Sequence, residues 1–542
     1  MVSQRLVVTC VAVTLLVSLY SLSELHTLSK QHAQQDASPF MGQPDSRLLA
    51  QTEPVATVAK QSASIHASAA TKVAPVASHT VASAEQRKCY TYPHTELWGE
   101  VVVWGTNHFV NSAEECCSAC RDFKPATAED ITCNVWVYCG EDSCKEQKGQ
   151  CWLKHLAHPE ASRPAKEGPD VMWTSGTMDV DMNADPAAKK VEAAVDHNAR
   201  RFHIVTSAQG AAVHWQARVH YYWYKKQKAR CEKEGGCEMG GFTRLLHSGK
   251  PDDLMDEIPT MVVDPLPQDM VEHSWYVVLN RPYAFVQWVQ KAQIPEKYVL
   301  MSEPDHIFLR PLPNFMTGET PAAFPFFYIE PAKRDHAHIT QKFAGKLSKQ
   351  QLEQIAPVGN SPTYLSMSDM TKIMPIWMNT SIAIFKDTEA NQAWGWVQEM
   401  YGYTIAAYLA GVRKTDLFLH MMAQPPWDTK MEMSPTKPFY ILHYTYGMDY
   451  TKEGVFTPGK YGEWRFDKRT WGGKPITRNL GAPPAGMKND LVRALIDAFN
   501  EATDAIPCWT EYAEAGGVVP KECKEAPKHY LAEEAAAKAK AL

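Results

Sequence analysis

The sequence has no excess of positive charge. Its 542 residues carry 55 Lys and Arg against 61 Asp and Glu, a net charge of −6 with a pI near 6.4. That balance leaves no basic footprint and argues against a nucleic-acid partner. The cysteines do not form two clean C-x-x-C pairs, which weakens a zinc reading. Residues 23–88 have few aromatics and are rich in Ala, Ser, Thr, Gln and Val. Such a stretch buries too little apolar surface to fold and reads as a disordered stem without repeats. Tyr20-Ser21-Leu22-Ser23-Glu24 offers no small-x-small cleavage site, which disfavours a removed signal peptide.

What is present points to a large, oxidised, aromatic-rich protein. Hydrophobic residues make up 45% and charged residues 21%, an ordinary globular balance with ample material for a core. The 16 Trp and 22 Tyr suit sugar or peptide binding, although a large core also uses aromatics. Leu6 to Leu22 contains no charge, Pro or Gly. Its helical length of about 26 Å matches a thin secretory-pathway bilayer of about 27 Å. The expectation is a cytoplasmic tail over 1–5, a signal anchor over 6–22 and a lumenal remainder. Of 13 cysteines, Cys10 lies in that run. Eight fall between Cys89 and Cys151, Cys231 and Cys237 bracket a short loop, and Cys508 and Cys523 bracket the C-terminal end. Even groups imply disulfides, though spacing alone leaves the pairing open.

Residues 89–178 read as a disulfide-dense unit and 179–201 as a linker. Residues 202–510 read as the main domain and 511–542 as a polar tail. In the first unit, Glu115-Cys116-Cys117-Ser118-Ala119-Cys120, Cys133-Asn134-Val135-Trp136-Val137-Tyr138-Cys139 and Gly149-Gln150-Cys151-Trp152 resemble the PAN/apple module. The resemblance implies a small α+β fold that binds proteins or carbohydrates; the alternative is a stapled domain without a ligand. In the main domain, Phe202 to Thr206 reads as a buried strand and Ala212 to Lys228 as a helix. Gly241 to Leu246 is a second strand, Pro282 to Lys291 a helix, and Tyr298 to Met301 a third strand. This alternation predicts an α/β sheet with ligands at the strands' C-terminal ends.

The third strand runs into Glu303-Pro304-Asp305. Two carboxylates across one rigid spacer suit a hard divalent cation, Mn²⁺ or Mg²⁺, that would bridge a nucleotide-sugar diphosphate. Asp179-Val180-Asp181 has the same form but no hydrophobic strand before it. Arg281 opens a helix, where backbone N–H groups also favour anions.

Longer runs carry a more specific signal. They include Tyr222-Trp223-Tyr224-Lys225-Lys226, Gly240-Gly241-Phe242-Thr243-Arg244-Leu245-Leu246-His247-Ser248-Gly249, and Val277-Val278-Leu279-Asn280-Arg281-Pro282. Met301-Ser302-Glu303-Pro304-Asp305-His306 and Ala323-Phe324-Pro325-Phe326-Phe327-Tyr328-Ile329-Glu330-Pro331 follow. Then come Gln424-Pro425-Pro426-Trp427-Asp428, His443-Tyr444-Thr445-Tyr446-Gly447 and Gly462-Glu463-Trp464-Arg465-Phe466-Asp467-Lys468-Arg469. In this order they resemble the plant and algal hydroxyproline O-arabinosyltransferases.

The resemblance implies a GT-A, Rossmann-like catalytic domain that retains anomeric configuration. It implies UDP-β-L-arabinofuranose as donor and peptidyl 4-hydroxyproline, in hydroxyproline-rich glycoproteins or peptides, as acceptor. The setting it implies is the Golgi membrane, as a single-pass type II protein. Glu303, Asp305 and His443 become the expected ligands of Mn²⁺ (or Mg²⁺). Thr206, Ser207, Arg244, Arg281, Gly447 and Lys468 become expected nucleotide-sugar contacts, with Arg469 beside Lys468. Either arginine could instead pair with Asp256 or Asp264. Asp428 and then Glu330 are the candidate carboxylates if a base or nucleophile exists. A peptidyl serine α-galactosyltransferase, a non-catalytic carbohydrate- or protein-binding membrane protein and a metal hydrolase are the alternatives. Family cores lack the cysteine module and the Cys231–Cys237 loop, and have a shorter turn at His273-Ser274-Trp275. Asn379-Thr380-Ser381 is the single N-glycosylation sequon.

Overall fold

A computed structural model describes residues 87–127, 131–184, 196–208, 211–271 and 276–524. The expected anchor and nearly all of the stem lie outside these residues, as do residues 273–275. No described helix is long and apolar enough to cross a membrane.

The N-terminal part is a five-stranded antiparallel sheet with one helix. Its strands are β1 (Cys89–Tyr92), β2 (Glu100–Val103), β3 (Val135–Tyr138), β4 (Cys151–His155) and β5 (Thr174–Met178), ordered β1-β5-β3-β4-β2. Helix α1 (Ala113–Asp122) begins where the Ser112 hydroxyl accepts the Glu115 N–H, an N-cap that satisfies one free donor. Its buried face carries Cys116, Cys117 and Cys120. These bond to Cys151, Cys89 and Cys133, so one helix face is stapled to β4, to β1 and to the segment entering β3. A fourth bridge joins Cys139 to Cys144. Asp179 accepts from Arg87 at 2.8 Å and Asp181 from Tyr92, so this acid pair closes the module.

The main domain is a seven-stranded mixed sheet flanked by helices. In chain order its elements are β6 (Phe202–Ser207), α2 (Ala211–Glu234), β7 (Met239–Leu246), β8 (Thr260–Val262), α3 (Asn280–Lys291) and β9 (Tyr298–Ser302). A short strand β10 (His306–Phe308) leaves the sheet before β11 (Ala322–Pro325), β12 (Val358–Ser366), α4 (Met367–Lys386), α5 (Gln398–Leu409) and β13 (Asp416–Leu417). The order is β8-β7-β6-β9-β12-β11-β13, with β12 antiparallel to both neighbours. Every residue of β6, β9 and β12 is buried, as expected for strands covered on both faces. The first helix continues past the expected Lys228 to Glu234, and Cys231 in its last turn is bonded to Cys237.

Gly240 shows why a glycine pair opens β7. A Cβ there would lie 2.3 Å from Glu296 Oε1 and 2.7 Å from the Phe202 carbonyl oxygen. Bare backbone lets Glu296 in. Its carboxylate accepts the Gly241 N–H at 2.7 Å and meets His203 Nδ1 at 3.3 Å, locking β7 to β6.

A second, three-stranded sheet carries the late part of the chain. It sets β15 (Ile441–His443) between β10 and β14 (Met422–Ala423). The hairpin of β16 (Met448–Tyr450) and β17 (Trp464–Phe466) follows, then α6 (Asp490–Ala505) and α7 (Trp509–Glu514). The packed chain extends beyond the expected boundary at residue 510. Trp509 and Tyr512 are fully buried, and the Cys508–Cys523 bridge closes the segment. The Tyr512 hydroxyl meets His214 Nδ1 at 2.7 Å while the Arg218 guanidinium sits 4.4 Å from its ring. Two buried aromatics outweigh the polar residues around them.

The cysteine module docks on the main domain through named contacts. Arg163 pairs with Asp428, His155 Nε2 meets Glu353 at 2.9 Å, and Lys349 meets Glu100 at 3.0 Å. Lys437 donates to the Met182 and Ala184 carbonyls at 3.2 and 3.0 Å.

Candidate active site

Strand register builds the site. Strand β9 ends at Ser302, paired with Thr206 at the end of the parallel strand β6. The chain then turns through Glu303-Pro304-Asp305, with the His306 N–H donating to the Glu303 carbonyl at 3.1 Å. The turn redirects the chain into β10, which runs antiparallel to β15 with His306 opposite His443. That pairing brings His443 to the acids: its Nε2 lies 3.1 Å from Asp305 Oδ2 and 3.6 Å from Glu303 Oε2. Glu303, Asp305, His306 and His443 each offer a ligand atom, all within 4.8 Å of one another.

Two cations neutralise the acids. Arg281 Nη2 meets Glu303 Oε1 at 2.8 Å, and Lys468 Nζ pairs with Asp305. Burial alone would raise the Asp305 carboxyl. The Lys468 ammonium and the His443 ring more than reverse this and hold it well below the usual carboxylate range. Burial and the neighbouring His443 push the His306 imidazole well below its usual value, so it is neutral. Behind it, burial lowers His220 to about 4, and its Nδ1 meets the His306 carbonyl at 2.8 Å.

The residues fit a divalent cation. Two carboxylates supply hard oxygens and His443 an imidazole, a set that Mn²⁺ accepts. His306 Nε2, in the same group, is buried without a hydrogen-bond partner. An unpaired imidazole nitrogen beside paired carboxylates is costly unless a further group engages it.

The other expected residues divide. Thr206 and Ser207 stand beside the motif, and the buried Thr206 Oγ1 has no partner. Gly447 lies in the loop after β15, where a Cβ would come 3.0 Å from Asp467 Oδ2. The missing side chain leaves room for the Asp467 carboxylate, which caps the turn of Lys468 and is held by Arg465 and Arg469. Arg469 therefore supports the turn on which Lys468 sits. Arg244 is engaged elsewhere: it is buried and pairs with both oxygens of Asp252 at 2.6 and 2.7 Å. The partner is Asp252, not the Asp256 or Asp264 considered from the sequence. Asp428 is held by Arg163 of the cysteine module and by the Gln424 N–H at 2.8 Å, so it closes its own turn. Glu330 is half-exposed and paired with Lys333 at 2.6 Å. His214, Asp252 and Asp253 form a second group, but Tyr512, Arg244 and the Val519 N–H already engage them.

Glu399 was not anticipated. It sits in the first turn of α5, 3.5 Å from Arg281 Nη1, and its Oε1 is buried without a partner. Burial raises its carboxyl to about 7 against the pull of Arg281, and the Glu303 charge adds to the rise. No local pattern marks it, since a buried acid reads in sequence like any helix-start acid.

The model of the hydroxyproline O-arabinosyltransferase family N-terminal domain matches residues 202–417, and that of its C-terminal domain matches 440–510. A PAN domain model matches residues 95–154. Hydroxyproline O-arabinosyltransferase RDN2 of Medicago truncatula is 51% identical over 309 residues, covering 57% of this chain and 81% of that protein. Hydroxyproline O-arabinosyltransferase 2 of Arabidopsis thaliana is 46% identical over 348 residues, covering 64% of this chain and 88% of that protein. The peptidyl serine alpha-galactosyltransferase of Arabidopsis thaliana is more distant, 24% identical over 227 residues, covering 40% of this chain and 25% of that protein. A solved galactosyltransferase, LgtC with donor and acceptor sugar analogues, superposes with a TM-score of 0.29 at 13% identity, covering 59% of this chain and 98% of its own. A likeness that low carries no weight.

Proposed function

The chain belongs to the hydroxyproline O-arabinosyltransferase family, and we propose that it transfers L-arabinofuranose from UDP-β-L-arabinofuranose to the hydroxyl of peptidyl 4-hydroxyproline, with retention, on a GT-A-type domain. The observation that carries the site is the convergence of Glu303, Asp305 and His443. A bound Mn²⁺ or Mg²⁺ would supply charge neutralisation for the departing diphosphate.

The chain's own residues do the rest. Glu303, Asp305 and His443 would hold the cation. Lys468 and Arg281, which sit on these acids, are placed to exchange them for the diphosphate oxygens. Thr206 and Ser207, at the end of the neighbouring strand, would contact the nucleoside. Transfer proceeds by front-face attack. The hydroxyproline oxygen bonds to the anomeric carbon, the bond from that carbon to the diphosphate oxygen breaks, and the acceptor proton passes to that leaving oxygen. No protein nucleophile is needed, consistent with the engagement of Asp428 by Arg163 and of Glu330 by Lys333.

The reading extends to location: a single-pass type II Golgi membrane protein with a lumenal catalytic domain. Six disulfides and the apolar run Leu6 to Leu22 support it. The test is an assay of the full-length protein with UDP-arabinofuranose and UDP-galactose against hydroxyproline and serine peptides. Arabinose on hydroxyproline is expected; galactose on serine would replace this reading with the galactosyltransferase one.

A further inference from the structure

Glu399 lies outside the group of side chains that can take the cation, yet it is linked to that group through one arginine. Arg281, in the first turn of α3, spans the two. Its Nη2 meets Glu303 Oε1 at 2.8 Å. Its Nη1 lies 3.5 Å from Glu399 Oε2 and 3.5 Å from Asn360 Oδ1. Glu303 turns its other oxygen the opposite way, with Oε2 3.6 Å from His443 Nε2. The sequence of contacts is therefore Glu399, Arg281, Glu303, His443.

The mounting of this anchor is rigid. Glu399 is 1% exposed and sits in the first turn of α5. Its carbonyl accepts the Trp377 indole N–H of α4 at 3.1 Å. Within the next turn, Gly402 lets the two helices close, since a Cβ there would overlap the Ser381 hydroxyl. Ahead of the helix, the Tyr276 hydroxyl donates to the Trp396 carbonyl at 2.6 Å. Asn360 is buried in β12. Its neighbour Ser361 donates to the Met301 carbonyl of β9 at 3.1 Å.

Stability alone does not account for Glu399. Its Oε1 is buried with no partner, and its Oε2 is 3.5 Å from the nearest guanidinium nitrogen. A carboxylate buried in that state is costly, and a neutral side chain of the same shape costs less. What the charge does is give Arg281 a second acid. Three carboxylates, Glu303, Asp305 and Glu399, stand against Arg281 and Lys468. Glu303 and Asp305 belong to the ligand group and Glu399 does not. Glu399 is thus the acid that stays with Arg281 once a cation engages Glu303.

We propose that Glu399, assisted by Asn360, is a positioning residue that anchors Arg281 by Nη1, so that Nη2 can release Glu303 to the divalent cation and turn to the donor diphosphate. This rests on the arabinosyltransferase reading and adds to it what controls the arginine. With the charge of Glu399 gone, Arg281 falls back on Glu303 and competes with the cation for it. Groups one step behind a metal ligand commonly set metal affinity in this way.

The test uses full-length protein at pH 8, titrated with Mn²⁺ alone and then with UDP at saturating Mn²⁺, with Tm as the readout. Glu399→Gln removes the charge and keeps the shape. Its metal-free Tm is expected to be no lower than that of wild type, while the Mn²⁺ midpoint rises about tenfold and UDP affinity falls with it. Adding Asn360→Asp returns a carboxylate to the same arginine nitrogen and should recover most of both. In transfer assays the Glu399→Gln KM rises for the donor and not for the peptide. An unchanged Mn²⁺ midpoint and UDP affinity in Glu399→Gln would overturn the anchor. So would a loss of both accompanied by a lowered metal-free Tm, which is the outcome of a merely structural role. Wild type whose Mn²⁺ and UDP binding depends on Glu399 but which transfers no arabinose would leave the anchor standing and sink the reading of the reaction.

Discussion

His443 Nε2 and Asp305 Oδ2 lie 3.1 Å apart although 138 residues separate them in the chain. The contact is a consequence of strand register. His306 pairs with His443 across β10 and β15, and Asp305 immediately precedes His306. One residue of slip would turn His443 to the opposite face. The acids and the histidine are thus delivered by two different strands of a small sheet that the main sheet supports.

Arg281 bridges this cluster to Glu399, and the bridge predicts a pH-dependent stability. Burial pushes the folded Glu399 carboxyl up to about 7, above its ordinary value of 4.5. Between those values the folded state holds a proton that the unfolded chain has lost, so stability falls as pH rises through that window. In metal-free protein, Glu399→Gln should gain in Tm relative to wild type between pH 5 and 7, and then level off. An equal difference at pH 5 and pH 8 would refute the burial of this charge. Arg281→Met alone should cost about 3 kcal/mol at pH 8, because it leaves a buried charge unpaired. The double variant should recover much of it.

Glu296 predicts the opposite slope. Burial would raise its carboxyl, but the His203 hydrogen bond and the Gly241 N–H outweigh this and lower it to about 2. Its stabilisation is present above the unfolded value near 4.5 and is lost as pH falls from there towards 2. Glu296→Ala should lose about 1–2 kcal/mol at pH 7. The deficit measured by urea unfolding should shrink as pH falls below 4.5. Gly240→Ala should be at least as damaging, since its Cβ would contact this carboxylate and the Phe202 carbonyl.

Asp428 is held by Arg163, so its loss should loosen the cysteine module rather than stop the reaction. Asp428→Asn and Arg163→Ala should each speed hydrogen exchange in residues 159–178 while kcat stays within about threefold. A hundredfold fall in kcat for Asp428→Asn with exchange unchanged would return Asp428 to the chemistry.

The sequence was most legible where one local pattern carried one function. An apolar strand running into an acid-Pro-acid turn placed Glu303 and Asp305 at that strand's C-terminal end. A glycine pair marked the start of β7. Pairings set by tertiary packing were not legible. For Arg244 the sequence suggested Asp256 or Asp264, and only the fold selects Asp252. Cys116, Cys117 and Cys120 pair in three directions because one helix face lies across the sheet. The segment after residue 510 read as a polar tail, because Trp509 and Tyr512 are isolated aromatics that pack against His214 and Arg218 far upstream. Glu399 had no signal because a carboxylate's burial is decided by neighbours that are distant in the chain.

The most direct test of the site is metal-dependent arabinosyl transfer by wild type, Asp305→Asn and His443→Ala, with Mn²⁺-induced thermal stabilisation measured in the same preparations. Chelation should abolish wild-type transfer and Mn²⁺ should restore it. Each variant should show a fall of at least about a hundredfold in kcat/KM, a lost Mn²⁺ shift, and an unfolding transition that remains cooperative. Wild-type rates in Asp305→Asn, or transfer indifferent to chelation, would contradict a cation site at Glu303, Asp305 and His443.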